Sequence, residues 1–203
     1  MQQDRIEEIL TFWFGNSRED PAAVMPRNAF WFGGDEEVDG DIRACFANDV
    51  EQASAGELDN RAAEPYGRLA LILLLDQFRR SLYRGTGEAF ACDRRALGLT
   101  LEGLEQRADE PLAPVERLFF LMPLQHSESA EMQALSVLEF SALAASADEQ
   151  WREPFLNSLR FAREHRDIIE RFGRFPHRNR ALGRSNTPEE TAWLTSGAAT
   201  YGQ

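Results

Sequence analysis

The sequence contains no lysine, because all 22 of its basic residues are arginine. Schiff-base catalysis, pyridoxal attachment and the phosphate-binding loop that ends in Gly-Lys each need a lysine, so these classes of site are excluded. The 34 acidic residues outnumber the arginines and give a net charge of −12. Nucleic acids and anionic membranes attract basic surfaces, so we expect neither as a partner.

Cysteines and long apolar runs are also scarce. The two cysteines, Cys45 and Cys92, are isolated, which predicts neither a disulfide framework nor a thiolate metal site. The longest apolar run, residues 69–75, is far shorter than the roughly 20 residues that cross a bilayer. The amino terminus MQQDRIEEIL is acidic and amphipathic, whereas a secretory signal is basic and then apolar. We therefore expect a cytoplasmic protein.

Apolar residues recur at helical spacing along most of the chain, and no segment alternates apolar and polar residues as a strand does. With 203 residues, 43% of them hydrophobic, the chain has the size and composition of one globular domain over 1–203. The pattern predicts an all-α fold with seven or eight helices in antiparallel hairpins. Their stacking would be tetratricopeptide-like, although the Trp, Gly and Tyr spacing of that repeat is absent. Helices are predicted over about 6–14, 38–55, 65–80, 89–106, 114–123, 129–147, 153–172 and 187–196.

Residues 16–34 are rich in Pro, Asn, Gly and charge, and the composition predicts a loop. The loop would be pinned by the rings of Phe30, Trp31 and Phe32. Like the rings of residues 12–14, these rings either fill the core or line a ligand pocket.

Positive charge is concentrated between residues 160 and 184, which hold eight arginines and only three acidic residues. In one interpretation these arginines pair with the acidic surface and cap the preceding helix. In the other, their guanidinium groups converge on a carboxylate or phosphate, which they can hold with two parallel hydrogen bonds. The second interpretation makes candidate ligand-binding residues of Arg166, Asp167, Arg174, His177, Arg178, Asn179 and Arg184.

All three histidines, His126, His165 and His177, have charged or polar neighbours in the sequence. Antiparallel packing of the helix that begins near 129 and the helix that ends near 172 would bring His126 close to His165. A histidine paired with a carboxylate can act as a general acid or base near neutral pH, so His126, Glu128 and His165 are the candidate catalytic residues. The alternative is that the histidines are hydrogen-bonded structural residues. Their spacing matches no metal-binding pattern, and we predict neither a metal nor a cofactor.

Asp76 and Arg79 lie at the carboxyl end of the most apolar predicted helix. A buried carboxylate needs a cationic partner, and the arginines of 160–184 are the expected partners of Asp76. Asp76 would then stabilise the structure or orient an arginine of a pocket, and both residues join the candidate ligand-binding set.

Five segments carry a resemblance to a known family: FWFG, WF at 31 and 32, LALILLLDQFRRSLYRGTGEAFACD, ERLFFLMPLQHSES and HRDIIERFGRFPHRNRALGRSNTPEE. Together they resemble the bacterial family catalogued as domain of unknown function 924, over nearly the whole chain. The resemblance implies an all-helical fold similar to tetratricopeptide domains, and it implies no activity. The family-typical positions are Asp76, Gln77, Arg79, His126, Glu128, His165, Arg166, Asp167, Arg174, Pro176, His177, Arg178, Asn179 and Arg184.

Two functions are compatible with these observations. The first is an arginine and histidine pocket for a small anionic ligand, as in a hydrolase or a transferase. The second is a tetratricopeptide-like scaffold that binds a peptide without catalysis. A closed polar cavity would favour the first, and exposed aromatic residues and arginines on a concave face would favour the second.

Overall fold

The computed structural model describes residues 2–197, which are helical without a strand, as predicted. Counting the continuous run over 65–82 as one, these residues form nine helices. The run combines α4 (Pro65–Ile72), a π-helical segment (Leu73–Phe78) and α5 (Arg79–Leu82). The others are α1 (Gln2–Phe14), α2 (Val24–Phe32), α3 (Glu36–Ala55), α6 (Asp93–Glu105), α7 (Pro114–Gln125), α8 (Ala130–Ser146), α9 (Glu149–Phe172) and α10 (Pro188–Thr195).

Helix α2 is the helix that the sequence did not predict, because the prediction for 16–34 was a loop. The Asp20 carboxylate accepts a hydrogen bond from the amide of Ala22 (2.9 Å) and starts a short 3-10 turn before the helix. Pro26 lies in the first turn of α2, where a missing N–H costs nothing. The indole of Trp31 donates to the carbonyl of Trp13 (2.8 Å) and pins α2 to α1. The expectation that the aromatic rings hold this segment in place is therefore confirmed for Trp31.

The 65–82 run is the central helix of the core. Residues 67–80 are buried on every side, and the run packs against α1, α3, α6 and α7. A stretch of helix that is apolar all round, as residues 69–75 are, needs such neighbours on every face. Asp76 lies in the π-helical segment, near the carboxyl end of the run.

Helix α7 extends further than predicted. Pro123 lies inside the helix, which continues to Gln125, so that His126 is the residue that caps its carboxyl end. The α8–α9 pair then forms an antiparallel hairpin with only residues 147–148 between the helices. The long α9 therefore returns along α8 and brings His165 back to His126.

Helix α10 begins with the capping box that the sequence TPEE predicts. The hydroxyl of Thr187 accepts from the amide of Glu190 (3.1 Å), and the Glu190 carboxylate accepts from the amide of Thr187 (2.7 Å). Within residues 2–197, no helix has both the length and the apolar content that crossing a bilayer demands.

Candidate functional site

A cavity of about 590 Å³ opens between α2, the end of the 65–82 run, α7 and α9, and the 3-10 turn Pro176–Arg178 lies at one end of it. Two kinds of side chain line this cavity. One end, which we call the polar end, is formed by Gln77, Arg80, His126, His165, His177 and Arg178. The rest of the lining is mixed. It includes aromatic and aliphatic side chains such as Trp31, Phe32, Phe119, Met122 and Phe161, and further polar ones: Asn28, Ser81, Arg84, Gln125, Asn157, Ser158 and Arg160.

Asp76 lies behind the polar end and is completely buried. Its carboxylate accepts hydrogen bonds from Nδ1 of His126 (2.7 Å), from Nη1 of Arg80 (2.8 Å) and from the side-chain amide of Gln77. Burial alone would raise the pKa of Asp76, but Arg80 and His126 together hold this pKa well below its usual range. Asp76 is therefore ionised at neutral pH and keeps His126 and Arg80 in place.

The chain of ion pairs continues from Arg80 to Arg178. Nη2 of Arg80 and Nη1 of Arg178 both contact the carboxylate of Asp93, at 3.0 and 3.1 Å. The predicted pairing of Asp76 with the arginines of 160–184 is wrong, because Arg80 lies one turn further along the same helix and reaches Asp76 directly. Ion pairs link Arg178 to Asp76 through Asp93 and Arg80.

His126 and His165 each have a defined hydrogen-bond role at Nδ1. An ionised carboxylate and a carbonyl oxygen can only accept, so Nδ1 of His126 donates to Asp76 and Nδ1 of His165 donates to the carbonyl of Phe161 (2.8 Å). The two imidazole rings lie 6.4 Å apart, as the antiparallel packing argument predicted. In each ring, Nε2 is the nitrogen that carries the lone pair.

Burial keeps all three imidazoles of the polar end neutral. Burial lowers the pKa of His165 to about 3 and, together with the charge of Arg178, lowers the pKa of His177 to about 3. The pKa of His126 is also lowered, by burial and by Arg80, although Asp76 opposes this shift.

Arg178 is a buried cation in the wall of the cavity. Only 6% of the residue is exposed, and its guanidinium lies 4.7 Å above the ring of Phe90 and 4.5 Å above that of Phe175. Its Nε has no hydrogen-bond partner among the described residues. Burial lowers the pKa of Arg178 to about 10, so the side chain stays charged at neutral pH.

Charges at the polar end cancel. Arg80 and Arg178 carry two positive charges, and Asp76 and Asp93 carry two negative ones. Since the imidazoles are neutral, the buried network as a whole has no net charge.

This arrangement of helices and buried side chains can be compared with known proteins. The model of a family described as bacterial protein of unknown function (DUF924) matches residues 9–198. The chain belongs to this family. A solved structure, that of a protein of unknown function from Agrobacterium tumefaciens, is similar to this one. The two sequences are 32% identical, and the two structures superpose with a TM-score of 0.81. The match covers 97% of this chain and 100% of that one. No curated protein matches the chain.

In this DUF924 protein, four of the predicted site residues line the cavity, namely His126, His165, His177 and Arg178. Asp76 contacts three cavity residues from behind, namely Gln77, Arg80 and His126, as the proposed orienting role requires. Arg80 was not among the predicted site residues, although it stands next to Arg79 in the family-typical segment. Its i,i+4 spacing from Asp76 was the signal that could have found it.

The remaining predicted residues lie away from the cavity. Glu128 accepts from both terminal nitrogens of Arg184 (2.7 and 2.9 Å) and from the amide of Phe175 (2.8 Å). Burial would raise the pKa of Glu128, but these donors lower it overall, so the carboxylate is ionised and fully engaged. Glu128 therefore anchors the loop after α9, and the structure does not bring it to the cavity.

Arg174 and Asn179 tie α10 to the same loop. Arg174 holds the carboxylate of Glu190 through Nε and Nη2 (2.6 and 2.8 Å), and Asn179 contacts the side chains of Asn186 and Glu190. The hydrogen bond from Arg174 lowers the pKa of Glu190 to about 2.

Three further candidates have local partners. Arg166 and Asp167 form an exposed pair on α9 (2.7 Å). Arg79 contacts Ser54 and both the carbonyl and the carboxylate of Glu88, on the side of the 65–82 run that faces α3.

The structural interpretation of residues 160–184 thus holds for most of the segment. Six of its eight arginines form salt bridges: Arg160 with Glu164, Arg166 with Asp167, Arg171 with Glu189, Arg174 with Glu190, Arg178 with Asp93 and Arg184 with Glu128. Among the described residues, no cluster of three or more His, Cys, Asp or Glu side chains could hold a metal ion.

Proposed function

We propose that this protein binds a small organic anion with an apolar body, and that the cavity is its binding site. One observation supports this most strongly: Arg178, a buried cation, lies at the polar end of a cavity that has five aromatic rings in its other walls. Guanidinium groups favour carboxylates and phosphates. The aromatic walls would cover the apolar part of the same molecule.

The volume of the cavity supports a small ligand rather than an extended peptide. Small-molecule sites commonly occupy about 300–1,000 Å³ and combine apolar walls with a few polar groups. The cavity of about 590 Å³ has both features. A peptide-binding scaffold would instead present its arginines on an open surface, as is the case for Arg160 of this cavity but not for the buried Arg178.

The pairing of His126 with Asp76 gives this site a candidate acid–base group. A histidine held by an ionised carboxylate is the arrangement that general acid–base catalysis uses. We therefore extend the proposal to a hydrolase or transferase acting on the bound anion, with His126 as the general acid or base and His165 beside it. The cytoplasmic location and the tetratricopeptide-like stacking stay predictions.

The test is a ligand screen with matched arginine variants. Three probes share a phenyl group: 3-phenylpropionate, phenyl phosphate and the neutral 3-phenylpropionamide. At least one anionic probe should raise the melting temperature of the wild type, and the amide should not. Arg178→Gln should lose this ligand-induced rise, whereas Arg184→Gln, from the same loop but paired with Glu128, should keep it. If no anion raises the melting temperature, or if Arg178→Gln responds like the wild type, the proposal is refuted.

A further inference from the structure

We propose that the ligand is a monocarboxylate and that His126 takes up one proton when it binds. This inference rests on the proposed function and deepens it by naming the charge and the chemical class of the ligand. Three features of the polar end carry it: the cancelled charges, the contact between His126 and Asp76, and the place of His126 in the cavity wall.

Charge balance decides how many negative charges the polar end accepts. Arg80 and Arg178 are already matched by Asp76 and Asp93. An incoming anion therefore adds uncompensated charge to a buried site, and buried charges without compensation are unstable. One proton compensates a monocarboxylate completely, but it leaves a phosphate dianion with one negative charge in excess.

His126 is the group best placed to take up that proton. Its Nδ1 donates to Asp76 at 2.7 Å, so a second proton on Nε2 would create an imidazolium that Asp76 stabilises. His126 also lines the cavity, and protonated Nε2 would become a donor for the ligand carboxylate beside the guanidinium of Arg178. A His and carboxylate pair in this position couples ligand binding to proton uptake.

Among the charged groups near His126, Asp76 and Asp93 favour a second proton on its ring and Arg80 opposes one. The 65–82 run contributes Asp76 and Arg80, α6 contributes Asp93, α9 contributes His165, and the turn after α9 contributes His177 and Arg178.

Without ligand, burial and Arg80 lower the pKa of His126, so the imidazole is neutral near pH 7. A ligand carboxylate beside Nε2 would raise that pKa. The pKa values of His165 and His177 lie at about 3, which makes both poor acceptors in the same pH range.

The expected pH dependence follows from linkage. When binding takes up one proton, affinity falls by about tenfold for each unit of rising pH, between the pKa of His126 without ligand and its raised pKa in the complex. Affinity should be constant below the lower of these two values and again above the higher one. A ligand that binds without a proton would show no such slope.

The experiment measures proton uptake directly by calorimetry. Binding of 3-phenylpropionate is titrated near pH 7 in buffers with different ionisation enthalpies, and the slope should correspond to about one proton taken up. Phenyl phosphate, measured in parallel, should bind at least about tenfold more weakly, since one of the two negative charges of its phosphate stays uncompensated. Tighter binding of phenyl phosphate than of 3-phenylpropionate would overturn the assignment to a monocarboxylate.

Two variants identify the acceptor. His126→Gln can still donate to Asp76 but cannot take up a proton, so its proton uptake should vanish. His177→Gln removes another imidazole of the same cavity and should retain the uptake. Imidazole nitrogen chemical shifts of the wild type, followed by NMR as 3-phenylpropionate is added, give a test that does not depend on the variants folding. They should show protonation of His126 alone.

The outcomes separate this inference from the proposed function. If 3-phenylpropionate binds without proton uptake, or if uptake survives in His126→Gln, the inference is overturned while the anion site stands. If no anionic probe binds at all, both proposals fail together.

Discussion

Replacing Arg80 by Met should cost far more stability than the same replacement at Arg79. Both side chains are buried on adjacent positions of one helix, with 9% and 5% of each residue exposed. Arg80→Met would leave Asp76, which is completely buried, with a histidine and an amide as its remaining partners. Loss of one partner from a buried ion pair costs about 3–5 kcal/mol.

Arg79→Met is the matched control because the carboxylate it leaves behind is exposed to water. The side chain of Glu88 is 67% exposed, so water replaces the lost ion pair at little cost. The other hydrogen bonds of Arg79, to Ser54 and to the carbonyl of Glu88, contribute about 1–2 kcal/mol to stability. For a chain of this length, 1 kcal/mol lowers the melting temperature by roughly 2–4 °C. We therefore expect losses of roughly 6–20 °C for Arg80→Met and roughly 2–8 °C for Arg79→Met.

The pH dependence of the Arg80 effect provides an independent check. The pKa of Asp76 is depressed in the folded protein, so its contribution to stability is present above the unfolded pKa of about 3.9 and is lost as the pH falls through the folded value. Without Arg80 the pKa of Asp76 rises. The difference in free energy of unfolding between wild type and Arg80→Met should therefore be largest near neutral pH and shrink on acidification.

Urea titrations followed by circular dichroism, at several pH values between neutral and about pH 2, measure this difference across the range in which the contribution of Asp76 is lost. Equal losses for the two variants would refute the assignment of Arg80 as the main partner of Asp76. So would a penalty for Arg80→Met that stays constant down to acid pH.

The remaining predictions concern packing, capping and the loop after α9. Gly103→Ala should lose about 1–3 kcal/mol, because a Cβ at this position would lie 2.4 Å from the ring of Phe120 and 2.7 Å from Arg68. Gly98→Ala, on the same helix with nothing within 4 Å of the added carbon, should gain up to about 1 kcal/mol; equal effects in urea titrations would contradict the packing argument. Thr187→Ala should lose about 1 kcal/mol, measured by calorimetry, since it removes the cap of α10. Glu128→Gln should lower the melting temperature, yet its affinity for 3-phenylpropionate should match that of the wild type, and a weaker affinity would mean that this carboxylate belongs to the site.

Much of the fold follows from local patterns in the sequence. Eight of the nine helices were predicted because their apolar spacing and their end signals, such as Gly56 after α3 and Thr187 before α10, are encoded within a few residues. Helix α2 was missed because Trp31 stabilises it through contacts with α1, and such tertiary contacts leave no local signal.

The candidate site was harder to predict because it depends on which charges meet. Antiparallel packing was enough to place His126 beside His165. Nothing in the spacing of the arginines shows that Arg184 meets a carboxylate 56 residues away while Arg178 enters a cavity. Burial sorts these side chains into two roles, and burial is a property of the whole fold.

The π-helical segment Leu73–Phe78 sets the direction in which the residues after it face. A π-turn contains about one residue more than an α-turn. If the same residues formed a regular α-helix, everything after them would be rotated by about 100°. Arg80 would then turn away from both Asp76 and Asp93, although no chemical group of the network had been altered. A relative that lacks the extra residue can keep Arg80 in register by forming an ordinary α-turn, so a one-residue gap at this point of an alignment does not mean that the pocket is lost.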